Sequence, residues 1–111
     1  MTSKNQKIGM MEIILKEINE AGGIEASAIA SRDGLLICTT LSDQNQAEIF
    51  VAMSATMIGA AEAVSTELGK GIPERTIVET QTGKIIGTGA GPKAIAIGYD
   101  RMQILDWFFP K

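Results

Sequence analysis

Between Asp43 and Gly69 the chain runs without a proline, and two stripes of different kind share that run. Phe50, Met53, Met57, Ala60, Ala61, Val64 and Leu68 recur every ~3.5 residues and form one apolar stripe. Ala52, Ala55, Thr56, Gly59 and Ala63 form an adjoining stripe of small residues. Asp43 and Gln46 have the spacing of a capping box, and Gly69, with Gly71 and Pro73 beyond it, is a stop signal. The pattern predicts a helix of roughly 24 residues, about twice the usual length. A lone surface helix needs one apolar stripe to face its core. Here the two stripes together cover more than half the circumference. Either the small residues lie against the domain's own sheet, or they allow close approach of a helix from a second copy.

The flanking segments read as follows. Ser3 and Gln6 suggest a cap, Ile8, Met11, Ile14, Leu15 and Ile18 follow at helical spacing, and Gly22-Gly23 ends a first helix of about Lys7 to Ala21. Ile24 to Ser31 and Leu35 to Thr40 flank Arg32-Asp33-Gly34, a hairpin turn, and the second strand is expected to be the more buried. After the long helix, Thr76 to Thr80, Lys84 to Thr88 and Ala94 to Tyr99 are strands separated by Gln81-Thr82-Gly83 and Gly89-Ala90-Gly91-Pro92. Met102 to Phe109 suits a short last helix stopped by Pro110. The order α-β-β-α-β-β-β-(α) predicts an α+β fold in which helices pack on a single five-stranded antiparallel sheet.

Composition narrows the function. A chain of 111 residues, 45% of them hydrophobic, suits one globular domain spanning 1–111. Its net charge of -3 and its lack of a Lys/Arg cluster argue against nucleic acid as a partner and against an electrostatic membrane anchor. No apolar run of about 20 residues suggests membrane insertion, and no signal region follows Met1, so the expected compartment is the cytoplasm. The chain has no histidine, which removes Ser/His and Cys/His nucleophile pairs and the commonest metal ligand. Cys38, the one cysteine, reads as a buried hydrophobe, and no cysteine-rich zinc set exists. Gly83-Lys84-Ile85-Ile86-Gly87-Thr88-Gly89-Ala90-Gly91 resembles a phosphate cradle, but Ile85 follows the lysine and a strand, not a helix, follows Gly91. Its glycines are expected to serve turns and close backbone approach. No catalytic residue, metal site or cofactor site is expected.

The strand Thr76 to Thr80 carries few gatekeepers beyond Arg75, Glu79 and the preceding Pro73. An open edge of this kind is an aggregation hazard unless something pairs with it. Pairing with itself across a two-fold axis would give an isologous dimer.

In order and spacing these segments resemble the roadblock (dynein light chain) family. The resemblance rests on Ser31-Arg32-Asp33-Gly34-Leu35-Leu36-Ile37, Met57-Ile58-Gly59-Ala60-Ala61-Glu62, Glu67-Leu68-Gly69-Lys70-Gly71, Glu74-Arg75-Thr76-Ile77-Val78-Glu79-Thr80, Gly83-Lys84-Ile85-Ile86 and Ala90-Gly91-Pro92-Lys93-Ala94, and covers roughly Ile8 to Tyr99. It is closest in form to the short, stand-alone prokaryotic type. The resemblance implies a roadblock-like (profilin-like) topology and homodimers in which the long helices pair and the third strands join edge to edge. It implies a non-enzymatic platform for a small Ras-like GTPase, one that stimulates GTP hydrolysis by repositioning the partner's own groups. The expected dimer contacts are Thr76, Val78 and Thr80 for strand pairing, and Ala52, Thr56, Gly59 and Ala63 for helix packing. A passive scaffold or light-chain adaptor is the alternative, and a small-ligand sensor a third reading.

Overall fold

Asp43 starts the long helix as expected: its carboxylate accepts the Gln46 N–H at 3.1 Å, satisfying a helix-start donor that has no partner in the helix. At the other end the Gly69 N–H reaches Thr66 O and the Lys70 N–H reaches Ser65 O, with Gly69 at φ 73°. This is a Schellman cap, and it needs a residue that tolerates left-handed backbone. The computed structural model describes residues 2–100. They form α1 (Thr2–Gly22), β1 (Ile24–Ser31), β2 (Leu36–Thr39), α2 (Gln44–Glu67), β3 (Thr76–Glu79), β4 (Lys84–Gly89) and β5 (Ala94–Asp100). The helix expected from Met102 to Phe109 lies outside the described residues. The first helix begins earlier than expected, with Ser3 already inside it.

The five strands make one antiparallel sheet in the order β2-β1-β5-β4-β3, as predicted for an α+β fold. Alternate residues of each strand face opposite sides. Ala28 and Ala30 of β1 and Ile95 and Ile97 of β5 face α2, and with its Val51 and Ile58 they form the core. On the opposite face Ser27 bonds Asn19 of α1 through its hydroxyl at 2.8 Å, and Thr40 Oγ1 accepts from both the Asn19 amide and the Ser27 N–H. This network pins α1 to the β1–β2 end of the sheet.

Two expectations are corrected here. β1, not β2, is the more buried strand of the first hairpin: β1 lies between β2 and β5, whereas β2 is an edge whose neighbour Leu35 is 70% exposed. On α2 the buried residues are Ala47, Val51, Ser54 and Ile58, while Met53, Val64 and Leu68 of the predicted apolar stripe are exposed. The reason is the shape of the sheet. The surface under the helix sets Ala28, Ala30 and Gly87 beside Ile95 and Ile97, and a Cβ placed on Gly87 would stand 2.6 Å from Ile58 Cδ1. The helix face that docks closest therefore carries small residues and two β-branched side chains, with Phe50 and Met57 half-buried at its margin. Burying one such side chain contributes about 1.5–3 kcal/mol.

Gly59 inside α2 and Gly69 just past its end should respond oppositely to alanine. Gly59 lies mid-helix with nothing within 4 Å of an added Cβ, so Gly59→Ala should stabilise by about 0.5–1 kcal/mol. Gly69 also has open space, but its φ of 73° is left-handed, so Gly69→Ala should cost about 1 kcal/mol. Urea unfolding of both variants at one protein concentration measures the difference.

Candidate functional site

Opposite its buried face, α2 presents Ile49, Ala52, Met53, Thr56, Gly59, Ala60, Ala63 and Val64 to solvent. From Ile49 to Val64 one side chain is charged, Glu62, and it bonds inward to Arg32. The Thr56 hydroxyl bonds back to Ala52 O at 3.2 Å, which makes the face less polar still. By length and composition α2 could cross a membrane, contrary to the expectation that the chain holds no such run. Here that apolarity covers the sheet on one side and leaves an apolar surface on the other.

β3 is the far edge of the same sheet. Val78 pairs with Ile85 and Thr76 with Gly87, so Thr76 and Val78 share the α2 face of the sheet and are half-buried there. Thr80 lies one residue beyond β3, where its N–H and hydroxyl both bond to Gly83 O and its hydroxyl also accepts the Thr82 N–H. Hydrogen-bonded and non-hydrogen-bonded pairs alternate along an antiparallel ladder. Because Thr80 bonds across to Gly83, the backbone groups of Val78 and Thr76 also point toward β4, and those of Ile77 and Glu79 point outward to the free edge. The Lys84 N–H, opposite Glu79, agrees with this phase: it turns away from β3 to the Asp100 carboxylate at 2.6 Å.

The residues expected for strand pairing lie on and just beyond β3, and those expected for helix packing lie on the outer side of α2. Gly34 of the β1–β2 turn approaches Ala52 and Ala55, so that flank of α2 looks toward the first hairpin. Phe50 meets the Tyr99 ring of β5 edge to face, with centroids 5.5 Å apart, so the other flank looks toward β5, β4 and β3. At ~100° per residue, Ala52 stands about 160° from Phe50, and Gly59 about 160° from Met57. Thr56 and Ala63 lie on the crown between the flanks. The flank beside β3 carries Met53, Met57, Ala60 and Val64. That the backbone groups of Ile77 and Glu79 face the free edge follows from the β3–β4 register, which the strand's own sequence does not carry.

Other candidate chemistry resolves into structure. The glycine-rich segment is β4 and its turns, with Gly91 at φ 90°. No group of three or more His, Cys, Asp or Glu side chains comes together among the described residues. An open cavity of about 400 Å³ lies between the start of α2 and the β3–β4 turn, with Phe50 and Tyr99 as its apolar wall and Glu25 and Lys84 among its polar lining. The Asp100 carboxylate on its rim is engaged by the Lys84 N–H.

With this geometry in hand, comparison with known proteins places the fold. The Roadblock/LC7 domain pattern matches residues 10–97. Two uncharacterized proteins of Methanocaldococcus jannaschii are each 34% identical over 88 residues, covering 79% of this chain and 77% of theirs. Among solved structures, MglB of Myxococcus xanthus superposes with a TM-score of 0.76 at 12% identity, over 91% of this chain and 78% of that one. A Roadblock/LC7 domain from Streptomyces avermitilis superposes with a TM-score of 0.75 at 14% identity, over 80% of this chain and 76% of that one.

Cys38 reports on the packing beneath α1. The thiol is buried, and burial first, then the negative charge of Glu12, pushes its pKa above the ordinary value, while a backbone hydrogen bond with Ile29 opposes them. A thiol whose folded pKa is raised favours the folded state at neutral pH and loses that contribution as pH rises through the ordinary thiol range toward the folded value. Burial and then Glu25 raise Tyr99 in the same direction, so the comparison needs a Cys38→Ala variant that keeps Tyr99. The urea midpoint of the wild type should fall more than that of Cys38→Ala between about pH 7.5 and 9.5. Parallel slopes would show that the thiol carries none of the change.

Proposed function

This chain belongs to the Roadblock/LC7 family, and from that premise we propose that it is a homodimeric, non-enzymatic platform that binds and regulates a small Ras-like GTPase in the cytoplasm. One observation carries the reading: α2 keeps a long exposed apolar face, and the sheet it packs on ends in an edge strand whose outward N–H and C=O groups belong to Ile77 and Glu79. Each feature alone is a liability in a soluble monomer. One two-fold axis along the β3 edge addresses both. It pairs the two sheets and sets Met53, Met57, Ala60 and Val64 of one copy against the same flank of the other. Thr76 and Val78 then form the floor beneath the helix seam. Thr56 and Ala63 lie along the crown of the paired helices, and Ala52 and Gly59 on the flank toward the first hairpin, and these four form the docking platform outside the seam.

The proposed mechanism is conformational. A platform that binds one arrangement of a GTPase's switch segments better than the other shifts the partner's population by that difference in affinity. A difference of about 1.4 kcal/mol already changes the ratio tenfold.

Two substitutions separate seam from platform. Ile77→Pro removes an outward N–H from an edge strand that otherwise tolerates proline, and should leave the fold intact while weakening self-association about a hundredfold in sedimentation. Gly59→Arg projects into open space on the side of α2 away from β3 and should leave the dimer unchanged while abolishing its effect on single-turnover GTP hydrolysis by the partner. A monomeric wild type at cellular concentration would sink the platform reading. A dimer that binds the GTPase without altering hydrolysis would leave a passive scaffold in its place.

A further inference from the structure

The last third of α2 is held differently from the rest. Ile58 is its last buried residue, and from Gly59 to Glu67 only Ala61, Glu62 and Ser65 are even half-buried. Yet this stretch carries Gly59, Ala60, Ala63 and Val64, half of the surface assigned above to seam and platform. The residue that reaches it is Arg32, from the turn after β1. Its Nη1 donates to both Glu62 carboxylate oxygens, at 2.8 and 3.0 Å. Its Nη2 and Nε donate to the Gly91 carbonyl at 3.2 and 3.4 Å, and its backbone N–H donates to Lys93 O at 3.2 Å. One residue thus joins the β1–β2 turn, the β4–β5 turn and α2. Gly89 leaves room for it, since a Cβ there would stand 2.7 Å from Nη2. The other ion pair among the described residues, Arg75 with its neighbour Glu74 at 3.9 Å, joins no two elements.

We propose that Arg32 and Glu62 are a positioning pair that straps the C-terminal turns of α2 to the strand ends, and so sets the geometry of the outer half of the interaction surface. Partly exposed ion pairs contribute little to global stability, and this one is partly exposed, at 34% and 25% for the two side chains. Its effect is local: it decides where an otherwise weakly held helix end rests. Arginine is needed because its planar fork can serve a carboxylate and a carbonyl at once, which a lysine ammonium does not reproduce. The consequence for partner binding rests on the platform reading, but the strap itself does not.

The test is amide hydrogen exchange on the full chain in the Ile77→Pro background, so that self-association does not protect the helix. Two variants attack the pair from opposite sides. Glu62→Gln removes the charge, and Gly89→Ala pushes the guanidinium away with both charges kept. Both should speed exchange at residues 61–67 about tenfold relative to 48–58, with melting temperatures close to the parent, and Arg32→Lys should fall between parent and variant. Equal acceleration along the whole helix, or none at 61–67 in either variant, would overturn the strap. A wild-type chain that neither dimerises nor acts on a GTPase would remove the platform and leave this result standing.

Discussion

The approach of α2 to the small residues of a sheet face that also carries Ile95 and Ile97 is the constraint on which the rest depends. Ala28, Ala30 and Gly87 leave room for Val51 and Ile58 to sit directly on the strands. Core packing tolerates little change in volume, so this shallow surface selects which side of the helix can dock. Once Ala47, Val51, Ser54 and Ile58 face the sheet, the methionine flank must face β3 and the small residues must face away from the sheet or toward the first hairpin. The apolar exterior of α2 follows from which side fits, since a helix apolar all round cannot hide every face under one sheet.

The opposite side of the sheet adds hydrogen bonding to the apolar burial of Leu15 and Cys38. Asn19, Ser27 and Thr40 satisfy one another in the contact between α1 and the β1–β2 pair. Such a network has direction, where apolar packing does not, and it locates α1 over the first hairpin. Both helices are thus held by apolar burial, and α1 has a directional hydrogen-bond network besides. The end of α2, beyond both, depends on an arginine fork.

A surface of this kind suits recognition more than chemistry. Among the described residues, polar side chains cluster where they join elements: Asp43 at a helix start, Asp100 on a strand end, Arg32 between two turns. What lies open is backbone at a strand edge and small side chains on a helix crown. Edge backbone pairs with another strand, and small side chains let another backbone come near. Both suit assembly with protein, and the family to which the chain belongs gives that reading its direction.

Much of this was legible in the sequence, because caps and turns are local. The Asp43 cap, the Gly69 stop, the turn at Asp33-Gly34 and the alternation of Ile95 and Ile97 each depend on a few neighbouring residues, and each stands where the pattern put it. Element order and fold class followed from them. The choice between two plausible faces of α2 was not legible, since both stripes satisfy a helical period and only the depth of the sheet beneath decides between them. Nor was the phase of β3. Whether Thr76 or Ile77 offers its backbone to a neighbour depends on its register with β4, a fact about two strands together. Arg32 read as a turn residue until the fold brought Glu62, 30 positions away, within 2.8 Å. The sequence by itself determined the elements, their order and the long apolar helix. Tertiary structure alone decided which side of that helix is core, which flank adjoins the open edge and what holds its end, because these depend on shape and distance between segments far apart in the chain.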